Sequence, residues 1–439
     1  MTNTRVLRLA VAALVAAASL VGVAAQDASR GIDARVGAVM PKVIAWRRDI
    51  HQHPELSNRE VRTSSIVAEH LRALGLDVHT GIAKTGVVGV LRGGLPGAVV
   101  ALRADMDALP VTELVDLPFK SVEKGTYNGQ DVGVMHACGH DAHTAMLMGV
   151  AEVLTGLKAQ LPGTVKFIFQ PAEEGAPAGE TGGAGDMIAA GVLDNPKVEA
   201  MFGLHVMPLE QGSLWYRAGG LMAASDTLHI VVHGRQTHGA VPWGGVDPIA
   251  VSAQIVTGLQ TIVSRQIDIT NAPAIVTIGR ISGGIRFNII PDSVTMEGTI
   301  RTLDSQMQKD THARIKRTVT LIAQSAGAEA EVDIEIGNPI TFNDPALTEQ
   351  MTPTLRRVVG DGKVFTAKPR TVAEDFAKFQ ERVPGLFFYL GANAVNADPA
   401  KVAENHSPYF FVDEAALPTG VKALANLAVD YLRMRTTAR

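Results

Sequence analysis

The sequence has only one cysteine, no long run of basic residues and no internal repeat or low-complexity tract. Cys138 cannot close an intramolecular disulfide, which excludes a disulfide framework. A pI near 6.4 without a basic run argues against nucleic acid as a partner. Charged residues make up 19% and hydrophobic residues 46% of the chain, which excludes a disordered protein. With 439 residues, we expect two or three domains.

The longest uncharged stretch lies at the amino terminus, and no apolar run of membrane length follows it. Arg5 and Arg8 precede the uncharged stretch 9–23, which small residues follow up to Ala25. This pattern predicts a cleaved secretory signal peptide over residues 1–25. Because the stretch is short for a membrane span of about 20 residues, an uncleaved anchor is the weaker alternative. We therefore expect an exported protein, periplasmic or secreted, without membrane contact after signal removal.

The order of predicted elements indicates an α/β protein with a mostly parallel sheet and helices on both faces. Residues 30–222 and 341–439 would form this discontinuous domain, and the β-rich block 223–340 would be an inserted α+β domain. The predicted strands of the first domain are 86–91, 98–102, 164–169, 200–206 and 384–390. Its predicted helices are 32–49, 60–74, 142–157 and 415–432.

The densest group of potential metal ligands directly precedes a predicted helix. Within eight residues it contains His136, Cys138, His140, Asp141 and His143. In an extended segment residues two apart point the same way, so Cys138 and His140 could reach one ion. His136 could join them or face the opposite wall. The group favours a metal site over a Cys–His nucleophilic pair or structural histidines.

Further candidate ligands occur near the ends of predicted strands and in one loop. Glu173 and Glu174 follow the strand 164–169, where open α/β sheets gather ligands and catalytic groups. One carboxylate could bind a metal while its neighbour faces a water, although an exposed acidic loop is the alternative. His205 ends a predicted strand and His406 lies in a loop, and each alone could be structural. Together with the preceding group, they suit one or two divalent transition ions.

Six motifs, in order, resemble those of a known family of metal-dependent amidohydrolases. This family includes hippurate hydrolase, auxin-conjugate hydrolases and N-acyl-amino-acid deacylases, and it is related to aminoacylase and carboxypeptidase G. The resemblance covers nearly the whole chain after the signal peptide. The motifs are Ile50–Leu56, Arg103–Pro110, His136–His143, Gln170–Gly175, Ala373–Phe376 and Asn405–Pro408.

The resemblance implies a catalytic domain with two divalent metal ions and an inserted domain that forms a homodimer interface. The metal ligands it implies are Cys138, His140, Glu174, His205 and His406. Where the wider aminoacylase family has a His-x-Asp ligand motif, this chain has Arg103–Asp105, so the Cys138–His140 pair takes its place. These ligands suit Zn²⁺ or Mn²⁺, with Co²⁺ or Ni²⁺ as further options.

The resemblance also implies catalytic roles. Glu173 would take a proton from a water activated by the metals and return it to the departing amine. Cys138 would then be a thiolate ligand and not a nucleophile. Asp105 and Asp107 are predicted to orient a ligand histidine, with packing or helix capping as the alternative.

In the inserted domain, two residues resemble substrate-site residues of the family, and a third could bind substrate. His238 resembles a histidine that reaches across the dimer and stabilises an oxyanion. Asn288 resembles a substrate contact. Arg301 could hold a substrate carboxylate through a bidentate fork, or it could be an ordinary surface arginine.

These motifs predict an exported metallo-amidohydrolase that cleaves small-molecule N-acyl amino acids into a carboxylic acid and a free amino acid. A dipeptidase or carboxypeptidase with the same metal site is the alternative within this class. Two other classes are a cysteine hydrolase with Cys138 as nucleophile and a catalytically silent small-molecule-binding protein. The complete ligand set beside Glu173 favours the metalloenzyme.

Overall fold

A computed structural model describes residues 31–393 and 402–437, so the predicted signal peptide lies outside the described residues. The chain forms two compact units. Of the described residues, the first comprises those up to Tyr216, Asp344–Thr366 and those from Arg382 onward, and the second comprises Arg217–Asn343 and Ala367–Glu381. Among the described residues, no helix is long and apolar enough to cross a membrane.

The elements are numbered in chain order. The helices are α1 (31–52), α2 (Val61–Ala73), α3 (His140–Thr155), α4 (Gly183–Ala189), α5 (Pro248–Arg265), α6 (Ser305–Ser325), α7 (Pro345–Val359), α8 (Phe376–Gln380) and α9 (Leu417–Thr437). The strands are β1 (Asp77–Ile82), β2 (Gly86–Arg92), β3 (Leu95–Asp105), β4 (Lys124–Tyr127), β5 (Gln130–Gly133), β6 (Pro162–Gln170), β7 (Ala200–Glu210), β8 (Leu214–Tyr216), β9 (Gly219–Met222), β10 (Ala224–His233), β11 (Thr237–His238), β12 (Ala274–Gly283), β13 (Ile289–Ile290), β14 (Ser293–Thr302), β15 (Glu329–Asn338), β16 (Thr341–Asn343), β17 (Val364–Thr366) and β18 (Gly385–Asn393).

An eight-stranded mixed sheet forms the centre of the first unit, in the order β1-β2-β6-β3-β7-β18-β8-β17. The central strands β6, β3, β7 and β18 are parallel, whereas β1, β2 and β6 pair antiparallel at one side. The runs of buried residues in β2, β6, β7 and β18 are nearly continuous, as expected for strands covered on both faces. The α/β fold class is thereby confirmed.

Helix α3 is the most deeply buried helix of this unit, because almost its whole circumference is apolar or small. It packs against α9 and β3. Its second residue, Asp141, forms a buried ion pair with Arg47 of α1, at 2.9 Å between Oδ2 and Nε. His51 Nδ1 lies 2.8 Å from the same oxygen. Removing one partner of such a pair typically costs about 3–5 kcal/mol, so this group anchors the start of α3.

The second unit contains an antiparallel four-stranded sheet in the order β12-β14-β10-β15. Buried and partly exposed residues alternate along β10, as in a sheet with one covered face. Its apolar core includes Leu228, Ile255 and Val319, which come from β10, α5 and α6. The predicted inserted block, 223–340, lies within this unit. The unit is larger than that block because β9 pairs with β16 and because α8 packs against β16.

Candidate metal centre

The carboxyl ends of three parallel strands bring the predicted site residues of the first unit together. Asp105 ends β3 and lies opposite Gln170, the last residue of β6. The segment with Glu173 and Glu174 therefore begins at the edge of the sheet where β3 ends. β7 continues to Glu210, beyond its predicted end, but its pairing with β3 stops at Gly203. His205 lies two residues beyond the last residue of β7 that pairs with β3.

Cys138 and His140 converge through a tight turn and not through an extended segment, so that part of the prediction is wrong. Gly139 between them has a φ of 90° and caps α3, and His140 is the first residue of the helix. Glycine adopts this left-handed conformation without a steric penalty. A Cβ at Gly139 would also overlap the side chain of Val206. The turn thus needs glycine for both its conformation and its packing.

Cys138 and His205 present their donor atoms to each other. The Sγ atom of Cys138 lies 3.2 Å from Nε2 of His205. The Nδ1 atom of His205 lies 2.7 Å from the carbonyl oxygen of Val206, so Nδ1 donates its proton there and Nε2 carries the lone pair. Two donors on one transition ion lie about 3–4 Å apart, given bonds of about 2.0–2.3 Å. This pair has that spacing.

Glu174 and His406 form a second pair. Nε2 of His406 lies 3.2 Å from Oε1 of Glu174. The backbone of His406 is in the left-handed region, with a φ of 69°. Its amide donates to the carbonyl of Ala137, and the side chain of Asn405 donates to the carbonyl of Cys138. These bonds hold the loop of His406 against the turn that bears Cys138.

The five predicted ligands fall into overlapping groups. Cys138, His140 and His205 have donor atoms within 4.8 Å of one another, and so do Cys138, Glu174 and His406. Cys138 belongs to both groups, so one thiolate could serve two ions. This donor set of thiolate, imidazole and carboxylate suits divalent transition metals.

His140 provides the test of whether a cation fits. Its Nε2 is buried and has no hydrogen-bond partner among the described residues. The nearest carboxylate oxygens, of Asp105, Glu173 and Glu174, lie 3.8, 3.9 and 3.9 Å away. Burial disfavours the charged imidazole, but the carboxylates of Asp105, Asp107 and Glu174 outweigh burial and raise the pKa of His140 to about 10. A divalent cation would supply the positive charge that this position attracts, so the residues fit a metal.

Two buried aspartates surround the ligands. Oδ1 of Asp107 lies 3.3 Å from Nδ1 of His140, on the side of the ring away from Glu174. Oδ1 of Asp105 lies 2.6 Å from Nδ1 of His143. Asp107 is thus placed to orient a predicted ligand, whereas Asp105 contacts a different histidine directly. Their predicted orienting roles are compatible with these contacts and stay predictions.

Three members of the dense 136–143 group have other partners or surroundings. Nε2 of His143 accepts the amide proton of Val206, so His143 uses both ring nitrogens in hydrogen bonds and links Asp105 to β7. Asp141 pairs with Arg47 and His51. His136 is fully buried, and burial lowers the pKa of His136 to about 3. Spacing alone could not separate these residues from the ligands, because the partners of His143 and Asp141 are distant in the chain.

The predicted residues of the inserted block lie in the second unit. His238 and Asn288 are brought together where β11 pairs with β13. Nδ1 of His238 accepts the amide proton of Ala240, so its exposed Nε2 carries the proton and can donate. Arg301 is half-buried on β14, and burial lowers the pKa of its guanidinium. These features suit an oxyanion donor and an anion-binding arginine, and the roles stay predictions.

The two buried histidines of the first turn of α3 allow a matched test of ligand assignment. We expect His140→Gln to lose at least one of two bound metal ions, because Nε2 faces the other donors. His143→Gln should retain both ions, since an amide can replace both hydrogen bonds, with affinity lowered by less than about 10-fold. Metal content after zinc loading and gel filtration measures this. Retention by His140→Gln together with loss by His143→Gln would contradict the assignment.

Known proteins share this sequence pattern. The family model described as Peptidase family M20/M25/M40 matches residues 101–430. Thermostable carboxypeptidase 2 of Saccharolobus solfataricus is 43% identical over 392 residues, which cover 89% of this chain and 95% of that protein. N-acetylcysteine deacetylase of Bacillus subtilis is 38% identical over 393 residues, which cover 89% of this chain and 97% of that protein.

A solved structure shares the fold as well. It is that of the Bacillus subtilis YXEP protein, described as a dinuclear metal binding peptidase from the M20 family. The TM-score is 0.77 at 37% sequence identity, and the match covers 90% of this chain and 99% of that one. The predicted resemblance to metal-dependent amidohydrolases is thereby confirmed. This chain belongs to Peptidase family M20/M25/M40 and is a metal-dependent amidohydrolase or peptidase.

Proposed function

We propose that this enzyme hydrolyses the amide bond of N-acyl amino acids, releasing a carboxylic acid and a free amino acid. The observation that carries the proposal is the position of Glu173. Its Oε2 lies 3.9 Å from Nε2 of His140, beside the ligand groups and next to Glu174. A carboxylate in addition to the five predicted ligands is what a general base requires. The N-acetylcysteine deacetylase among the relatives supports an N-acyl substrate.

The ligand set would hold two divalent cations, which acidify water and polarise a carbonyl when bound. Glu173 takes a proton from the attacking water and returns it to the nitrogen of the scissile amide, because a neutral amine leaves more easily than its anion. His238 donates Nε2–H to the developing oxyanion. Arg301 binds the carboxylate of the amino-acid part through its guanidinium.

An open pocket beside Glu174 supports a small-molecule substrate. It is open to solvent, and apolar side chains, including Leu56, Leu109 and Tyr127, form part of its lining. Apolar walls of this kind favour an apolar acyl group. A carboxypeptidase or dipeptidase activity is the second candidate, favoured by the similarity to thermostable carboxypeptidase 2.

The cysteine-hydrolase alternative is disfavoured by the surroundings of Cys138. Burial, followed by the charges of Glu174 and Glu173, raises the pKa of the Cys138 thiol well above its usual range. A nucleophilic cysteine needs neighbours that stabilise the thiolate. Here the protein's own charges oppose it, so a thiolate ligand on a cation is the better account. A silent binding protein would have no use for Glu173 beside the ligands.

The adjacent carboxylates allow a direct test of the catalytic assignment. Glu173→Gln should lower kcat by about 10²–10⁴-fold with metal content retained, because the amide cannot carry the proton. Glu174→Gln should lose metal instead. Free-amine release from hippurate, N-acetyl and indoleacetyl amino acids and dipeptides measures kcat and ranks the substrates. Substantial turnover by Glu173→Gln would remove Glu173 as the base.

We also propose a homodimer in which His238 serves the partner's active site. The support is the exposure of two large apolar side chains close in sequence to His238 and Asn288 in the second unit, Trp243 at 81% and Phe287 at 95%. Large exposed apolar side chains of this kind mark interaction sites.

Subunit mixing tests this arrangement. Glu173→Gln and His238→Ala homodimers should both be impaired. Randomly mixed dimers should recover about a quarter of wild-type activity, because half are hybrids with one complete site each. Absence of any recovery would contradict a role for His238 across the dimer.

Finally, we propose that the enzyme is exported by the signal peptide over residues 1–25. The support is the charged start, the uncharged stretch and the small residues before Gln26. Amino-terminal sequencing of the protein from its native host should then begin at Gln26. A mature chain that still carries Arg5 and Arg8 would contradict cleavage.

A further inference from the structure

The residue before the two site glutamates has an unusual backbone conformation. Ala172 has a φ of 51°, in the left-handed region that residues with a Cβ rarely adopt. It is 2% exposed and directly precedes Glu173 and Glu174. Such a conformation persists only where its surroundings enforce it. The contacts that hold Ala172 therefore decide where the two glutamate side chains point.

Buried carboxylates accept three successive amide protons of this segment. Oε1 of Glu60 accepts from the amide of Ala172 at 2.9 Å. Oδ1 and Oδ2 of Asp107 accept from the amides of Glu173 and Glu174, at 3.1 and 3.0 Å. Asp107 thus holds the glutamates themselves, and Glu60 holds the strained residue before them.

Glu60 is itself fixed by its other contacts. Its Oε1 also accepts the amide proton of Asn58 at 3.0 Å, and its Oε2 accepts the hydroxyl proton of Thr85 at 2.5 Å. Glu60 is completely buried, and among the described residues no basic side chain forms an ion pair with it. Burying a carboxyl group without a cationic partner is costly, and these hydrogen bonds offset part of that cost.

We propose that Glu60 is a positioning residue of this enzyme, whose carboxyl group holds Ala172 in the left-handed conformation and thereby aims Glu173 and Glu174. The proposal rests on the proposed function for the role of Glu173. It is independent of that function for Glu174, whose place among the metal ligands requires no turnover. Glu60 contacts neither the predicted ligands nor the reacting atoms, so its effect passes through the backbone of Ala172.

The chain offers a matched control in Glu55. Its two carboxylate oxygens accept the amide protons of Arg62 and Thr63, at 2.9 and 2.8 Å, in the first turn of α2. Glu55 and Glu60 therefore both stabilise backbone near the start of α2, but only Glu60 also binds residue 172. Glu55→Ala reports what the loss of a backbone-binding carboxylate costs without any effect on the glutamate segment.

The experiment compares kcat and KM for the best amide substrate across four variants. Glu60→Ala should lower kcat by about 10–100-fold with KM changed less than about threefold, the size of loss expected for misplaced catalytic groups. Glu60→Gln should stay close to wild type, because an amide oxygen can still accept from Ala172. Thr85→Val removes the hydrogen bond to Oε2 but keeps the carboxyl group of Glu60, so it should lower kcat less than Glu60→Ala. Glu55→Ala should leave kcat unchanged.

A second substitution tests the route through Ala172. In the Glu60→Ala background, Ala172→Gly should recover part of the lost kcat, since glycine adopts the left-handed conformation without help. No recovery would overturn the route through the conformation of residue 172. This double variant also separates a conformational effect from a general loss of stability, which glycine would not repair.

Zinc affinity supplies a readout that does not depend on turnover. Competition with a chromophoric chelator should show weaker Zn²⁺ binding by Glu60→Ala, by at least about fivefold, because Glu174 is misaimed. Glu55→Ala should bind Zn²⁺ like wild type. If the wild-type enzyme released no amine from any substrate, the proposed function would fail, but the zinc affinities would still test the positioning role of Glu60. Equal kcat and equal zinc affinity in Glu60→Ala and Glu55→Ala would overturn the proposal.

Discussion

A concentration of buried and partly buried acidic groups at one edge of the sheet is the constraint on which the site depends. Asp105, Asp107, Glu173 and Glu174 surround the first residue of α3, and Cys138 adds a fifth group that must lose its proton to bind a metal. Uncompensated charges in a protein interior are costly. The chain compensates them in part with Arg103 and the site histidines. Divalent cations would complete the balance, so the metals would stabilise the fold as well as supply the chemistry.

The fold brings these groups together by simple means. Parallel pairing places the ends of β3 and β6 at one edge, and the loss of pairing beyond Gly203 leaves room beside His205. The left-handed glycine before α3 lets Cys138 and His140 face one point. The hydrogen bonds of His143 tie Asp105 to β7, which fixes the strand that carries His205. Each ligand thus lies on, or is tied to, a rigid element of the first unit.

Much of this arrangement could be predicted from the sequence, because it follows from local patterns. Apolar runs predicted the central strands, and motif order predicted the family. The sequence could not show that His143 uses both nitrogens elsewhere, because its partners Asp105 and Val206 are far away in the chain. It also gave no reason to single out Glu60, which resembles an ordinary acidic residue at a helix start. The extended segment predicted for Cys138 and His140 was wrong, since Gly139 permits a tighter turn.

The central claim is that amide hydrolysis requires metal ions held by the Cys138 ligand set. Its most direct test is a titration of the metal-stripped enzyme with Mn²⁺ or Zn²⁺, in which free-amine release from an N-acyl amino acid is followed at each addition. We predict no release without metal and a plateau at two equivalents per chain. Full release in the presence of a chelator, abolished by alkylation of Cys138, would contradict the claim and identify Cys138 as the nucleophile.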